Sequence, residues 1–151
     1  LTDTHLAKIV RQMQDLDGQD LFSFVDDGGS VRDVTSSHVN AYLRETMGGP
    51  FSAKNFRTWH ASVMAFGMLA AAKEDLTIKA VTEDVAERLG NTPAITRKSY
   101  IHPAVFDLMD RQGEWREGLI LPRTTKWLTR EERGLIAFLE DATPIAELVA
   151  A

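Results

Sequence analysis

The chain has no cysteine at all, which excludes disulfides and thiolate metal sites and fits a protein of the reducing cytoplasm. It has no apolar run near the roughly 20 residues that a membrane-crossing helix needs, and no charged-then-apolar leader. There is no Gly-rich phosphate loop, no Ser-centred elbow and no spaced His cluster, since His5, His38, His60 and His102 are scattered along the chain. There is also no initiator methionine: the sequence starts at Leu1, as expected of an excised or processed piece. A surplus of positive charge is missing too, because the formal net charge is -5. That balance speaks against a uniformly basic nucleic-acid surface.

What remains is ordinary for a globular protein. With 151 residues, 44% hydrophobic and 26% charged, one domain over 1–151 with a real core is expected. The charge is unevenly spread. Residues 1–53 hold eight carboxylates and four cations, whereas residues 54–102 hold seven cations and five carboxylates. A local basic site on an acidic body is compatible with this pattern, and so is a salt-bridged helical surface.

Periodicity predicts a mainly α fold. Leu6, Ile9, Val10, Met13 and Leu16 mark an amphipathic helix over 5–16, with Thr4 as a cap and Gly18 beyond its end. Alternation around Asp27-Gly28-Gly29 predicts a short β-hairpin or an irregular loop within 21–34. Ser36 or Ser37 is expected to cap a helix ending at Gly48-Gly49-Pro50. From Ser52 a strongly apolar central helix carries Phe56, Trp59, Val63, Phe66 and Ala70 on one face, widened by Met64, Met68 and Leu69. Ile78, Val81, Val85 and Leu89 mark the next helix, with Gly90 where a left-handed cap is wanted. Thr92-Pro93 restarts a helix that brings Tyr100 about two turns later. Pro103 allows another helix fading near Gly113, "LILPRTTKW" reads as a connector, and Thr129 with Leu135, Ile136 and Leu139 proposes a last helix.

Two constellations carry chemistry. In "KNFRTW" Lys54 and Arg57 stand three apart at the start of the central helix, where backbone N–H groups already favour anions. A phosphate site and a structural salt bridge both fit that spacing. In "LGNTPAITRKSYIHP" one of only two tyrosines, Tyr100, follows Arg97 and Lys98 and precedes His102, and Asn91 lies in the joint between two helices. A tyrosine hydroxyl titrates near pKa ~10, so its use as a nucleophile requires cations around the reacting oxygens. Such a set fits transesterification at a phosphodiester, where positioning and electrostatics do most of the work. A tyrosine placed there only for packing fits the residues too.

At these residues the sequence resembles the type IB DNA topoisomerases, specifically the compact bacterial and poxvirus-like branch. "DLDGQDLFSFVDDGGSVRDVTSSHVNAYLRE" is similar to the family's segment leading into the catalytic domain, "AKNFRTWHAS" to its second catalytic-arginine motif and "LGNTPAITRKSYIHP" to its nucleophile motif. The three occur in order between about Leu6 and Pro103. The resemblance implies a compact helical catalytic domain of the type IB topoisomerase and tyrosine recombinase kind. It implies Tyr100 as the nucleophile forming a 3′-phosphotyrosyl link, Arg57 on a non-bridging phosphate oxygen, and Asn91 where many members have histidine. Lys54, Arg97 and Lys98 would contact DNA phosphate. It further implies a monomer acting on double-stranded DNA at the nucleoid with no metal, cofactor or ATP. The family's earlier arginine and its general-acid lysine on a β-hairpin have no counterpart here, so the chain is expected to be a C-terminal fragment that works with an N-terminal part. Two alternatives stand beside it. A tyrosine recombinase would have histidine where this chain has Lys54, and a noncatalytic DNA-binding module would make no use of the Tyr100 hydroxyl.

Overall fold

The computed structural model describes residues 3–16 and 20–141. Among them are eight helices and one two-stranded antiparallel sheet, the mainly α class that the periodicity predicts. The chain divides into two compact units, residues 1–53 and 54–151.

The first unit holds α1 (Thr4–Gln14), β1 (Ser23–Val25), β2 (Val31–Asp33) and α2 (Ser36–Met47). Its order comes largely from local polar bonds. Asp3, not Thr4, caps α1, accepting from the Leu6 amide at 2.9 Å. Aspartate one residue earlier supplies the charge that the exposed amides favour. The expected Gly18 stop lies outside the described residues. The hairpin pairs Ser23 with Asp33 and Val25 with Val31. Asp26 organises its turn: one carboxylate oxygen accepts from the amides of Gly28 and Ser30, and the other takes Arg32 Nε at 2.9 Å. Those bonds hold its carboxyl below the usual carboxylate range. Gly29 closes the turn at φ +80°, a conformation that favours glycine. For α2 the cap is Thr35, one residue before the expected serines. Its hydroxyl accepts from His38 N while His38 Nδ1 accepts from Thr35 N, a reciprocal box.

The second unit contains the apolar core. Its long helix α3 (Ala53–Ala71) is followed by α4 (Ile78–Leu89), α5 (Pro93–Ser99), α6 (Pro103–Met109), α7 (Gln112–Glu117) and α8 (Arg130–Asp141). Phe66, Leu69, Val81, Val85, Val105, Leu108 and Leu135 are essentially fully buried. The buried stripe of α3 is narrower in side-chain size than its apolar pattern suggests. Ala61, Ser62 and Ala65 lie at its centre, whereas Phe56 is 44% exposed. Small residues let neighbouring backbones approach closely, and Phe66 then fills the space with edge-on contact to Trp115 at 5.2 Å and a tilted contact to Phe138 at 5.9 Å.

The helix beginning at Pro103 stops at Met109 rather than fading near Gly113, which instead lies inside α7. Buried Gln112 explains the added helix. Its side chain accepts from Leu76 N at 2.8 Å and donates to the carbonyls of Leu76 and Met109, pinning the α3–α4 connection to the α6–α7 corner. Arg116 adds bonds to Gln112 and to Asp75.

Gly134 on α8 is held where any side chain would collide. A Cβ there would sit 2.6 Å from Leu121 and 3.0 Å from the buried Phe66 ring. Gly67 on α3 would meet the Glu131 Cγ at 3.2 Å and its Cβ at 3.7 Å, a contact that a shift of a few tenths of an ångström in that partly exposed side chain relieves. Thermal unfolding should therefore move in opposite directions for the two sites. Gly134→Val is expected to cost about 1–3 kcal/mol by overpacking, while Gly67→Ala gains roughly 0.5–1 kcal/mol from helix propensity.

Candidate active site

The joint between α4 and α5 is built almost entirely from sequence-local signals. Gly90 adopts φ 65°, ψ 36°, and the amides of Gly90 and Asn91 return to the carbonyls of Glu87 and Ala86. This double closure ends α4 and turns the chain sharply. Thr92 then caps α5 through the Ile95 amide, with Pro93 at the first helical position. Seven residues later Tyr100 forms the C-cap, its amide donating to the Thr96 carbonyl at 3.1 Å. The two turns between Asn91 and Tyr100 are thus a rigid spacer.

Tyr100 is half-buried, with its ring packed on the core cluster and its hydroxyl bonded to none of the described residues. The guanidinium of Arg57, from the second turn of α3, lies over that ring at 5.4 Å from its centroid. The same guanidinium donates through Nη2 to the Leu89 carbonyl at 2.7 Å, at the last residue of α4. Arg57 therefore touches both ends of the joint. Asn91, two residues after Leu89, has its side-chain Nδ2 buried without a hydrogen-bond partner among the described residues. An unsatisfied buried donor costs about 1–3 kcal/mol, and such a cost often marks a group kept for a ligand.

The remaining expected residues spread outward from this centre. Lys54 is exposed one turn before Arg57, with no ion pair among the described residues, so the salt-bridge reading of that pair is not met. Lys98 is exposed on α5. Arg97 lies over the Phe106 ring at 6.0 Å and lines a hollow with Lys79 and Glu83. The cation at the Tyr100 ring thus comes from α3 and not from the tyrosine's own helix.

One residue essential to the arrangement escaped the sequence reading. Ser62, only 3% exposed, donates its hydroxyl to the Thr58 carbonyl at 2.8 Å and accepts from the His102 amide at 2.9 Å. It also lies 3.4 Å from the Tyr100 carbonyl. This single hydroxyl fastens the chain around Tyr100 to the helix bearing Arg57. A serine on an apolar helix face, in register with Ala61 and Ala65, was the available signal. His102 itself caps α6, its Nδ1 accepting from Ala104 N at 3.2 Å. Burial holds its imidazole below the ordinary 6.5, with Asp107 opposing in part.

Residues 2–117 match the family described as eukaryotic DNA topoisomerase I, catalytic core. The chain belongs to that family. It is similar to DNA topoisomerase 1B of Acanthamoeba polyphaga mimivirus, with 27% identity over 120 residues that cover 70% of this chain and 36% of the viral protein. It therefore spans about a third of that relative's length, and the helical architecture and the ordered motifs agree with a type IB topoisomerase fragment.

Two outcomes follow from the Ser62 and His102 contacts. Ser62→Ala leaves the His102 amide buried and unpaired, and should cost about 1–3 kcal/mol in denaturant titration. For His102 the unfolded chain takes up the proton first, because the folded imidazole's affinity is depressed. Stability from this group is present above about pH 6.5 and is lost as pH falls below it. His102→Asn, which keeps a capping side chain, should flatten that part of the stability profile.

Proposed function

We propose that residues 1–151 together form the C-terminal catalytic fragment of a type IB DNA topoisomerase of the compact bacterial and poxvirus-like branch, which relaxes supercoiled double-stranded DNA by transient cleavage and religation of one strand. The observation that carries this reading is the Arg57 guanidinium set over the Tyr100 ring at 5.4 Å while bonded to the turn that holds Asn91. In the proposed reaction the Tyr100 Oη attacks the phosphorus of a DNA phosphodiester. A tyrosyl–phosphate bond forms to the 3′ side, the bond to the 5′ oxygen breaks, and the strand leaves as a 5′-hydroxyl. Arg57 neutralises charge growing on a non-bridging oxygen, and Asn91 donates its unsatisfied N–H to the same phosphate. Lys54, Lys98 and Arg97 hold the flanking backbone.

Resealing is the reverse displacement by the 5′-hydroxyl. The exchanged bonds are both phosphodiesters, so the cycle runs without ATP or a divalent metal. The tyrosine proton and the leaving oxygen need an acid–base partner. We assign that role to the general-acid lysine of an N-terminal part, outside the third of the viral relative that this chain matches. The protein would act as a monomer on DNA in the cytoplasm.

Covalent trapping tests the reading. With labelled duplex DNA in chelator, quenched by detergent, an N-terminally extended chain should yield protein joined to the 3′ side of a break. Tyr100→Phe should abolish the adduct and Arg57→Ala should slow its formation by about 10²–10³-fold. The 151-residue chain alone should relax plasmid about 10²–10⁴-fold more slowly than the extended chain, for want of the general acid. A recombinase would instead exchange strands between two defined sites. An adduct that survives Tyr100→Phe would overturn the assignment.

A further inference from the structure

The connector between α7 and α8 lies beyond the residues matched by the family, which end at 117. It carries an unusual surface. In the same connector as Ile120, which is 90% exposed, Trp127 is 80% exposed. It is not on a loose loop. The Thr125 amide donates to the Leu128 carbonyl at 2.9 Å, and the Thr125 hydroxyl oxygen accepts from Leu128 N at 3.1 Å and from Trp127 N at 3.4 Å. This closed turn faces the indole outward. The second half of the connector is anchored to α8: Arg133 donates to the Arg123 carbonyl, and Thr129 and Glu132 form a reciprocal cap at the helix start.

Within the connector itself the charge has one sign, with Glu117 before it and Glu131 and Glu132 after it. From Gly118 to Arg130 there are three cations, Arg123, Lys126 and Arg130, and no carboxylate, in a chain whose net charge is -5. None of the three is ion-paired among the described residues. Lys126 Nζ lies 4.5 Å from the Trp127 ring centroid, so the ammonium covers part of the indole and leaves the rest to a flat partner. Two carboxylates follow Arg130 directly, and both are engaged toward α3: the Glu131 Cγ lies 3.2 Å from where a Cβ on Gly67 would stand. Glu132 accepts from Trp59 Nε1 at 3.2 Å and from Thr129 N at 2.8 Å. Through Trp59 this anchor reaches α3 two residues after Arg57.

We infer that Arg123, Lys126, Arg130 and Trp127 form a second DNA contact, in which the cations pair with backbone phosphates and the indole stacks on a base left unpaired at an interruption of the duplex. The inference rests on the reading of the chain as a DNA-acting fragment and adds a site to it. An indole needs an uncovered base face, which an intact duplex does not offer and an interrupted one does. Three cations outside any ion pair among the described residues favour a polyanion over an ordinary protein surface.

The test is binding by the full chain in the Tyr100→Phe background, read by fluorescence anisotropy on a labelled duplex that is either intact or carries a short single-stranded gap. Trp127→Ala should weaken binding to the gapped duplex about 5- to 100-fold, with a much smaller loss on the intact one, and Trp127→Phe should recover part of it. The double substitution R123Q and K126Q should weaken both and reduce the slope of log affinity against log salt by about 2. Equal affinities and slopes for wild type and variants would overturn the second contact. Covalent trapping with the extended chain, with and without these substitutions, separates the two readings. An adduct with unchanged DNA affinity in every variant defeats the patch alone, whereas patch-dependent binding with no Tyr100 adduct defeats the catalytic reading and keeps the patch.

Discussion

The arrangement around Tyr100 depends on one hydroxyl. Ser62 is the place where α3 and the turn from Tyr100 to His102 share a hydrogen-bond network inside the core. Because the network is buried, each of its bonds is costly to break without replacement. The consequence is positional. Arg57 and Tyr100 come from helices far apart in sequence, and their relative placement follows from how α3 meets the end of α5. Ala61 and Ala65, fully buried on either side of Ser62, allow that close meeting. A larger residue at either position would push the tyrosine's turn away from the arginine's helix.

The two units stand on different physics. The second unit buries a continuous set of apolar side chains from α3, α4, α6 and α8. In the first, among the described residues, only Ser23 is buried, while Phe22, Phe24, Val25 and Tyr42 are all more than 40% exposed. Its hairpin and α2 are defined by Asp26, by the Thr35–His38 box and by an edge contact between Phe24 and His38 at 6.2 Å. Local polar bonds of this kind set conformation but contribute little cooperative stability. The catalytic residues proposed here all lie in the unit with the core.

Where the chain's own residues decide local structure, the sequence was readable. Gly90, Thr92 and Pro93 announce a turn and a helix start whose geometry they alone enforce, and the span from Asn91 to Tyr100 followed from it. The caps of α1 and α2 were displaced by one residue because several capping side chains stood together, and at α2 the cap gains a second bond through His38. The residues alone made the site legible as a set of types, and only the family resemblance set Arg57 beside Tyr100 and Asn91. Proximity in sequence suggested Arg97 and Lys98 as the charges serving Tyr100, yet Arg97 turns to Phe106, and Arg57 arrives over the ring from another helix. Ser62 was hidden for the same reason. Its importance comes from an amide forty residues away that no periodicity reveals.

If Arg57 serves a phosphate as proposed, its resting partners suit an acidic chain. Had the guanidinium met a carboxylate, an incoming phosphate would have to displace an ion pair and leave a carboxylate beside the reacting oxygens. It meets instead a neutral carbonyl, Leu89 O, and the face of the tyrosine ring. Neither partner cancels its charge, and the carbonyl occupies only one of the five N–H donors that a guanidinium carries. The ring contact costs little to rearrange, since cation–π attraction at exposed sites is worth about 0.5–1 kcal/mol. In the proposed reading, the acidic residues of the chain therefore need not be removed for the site to attract DNA. They need only lie elsewhere, and the paired ones do, on α4 and at the Asp75 and Asp26 contacts.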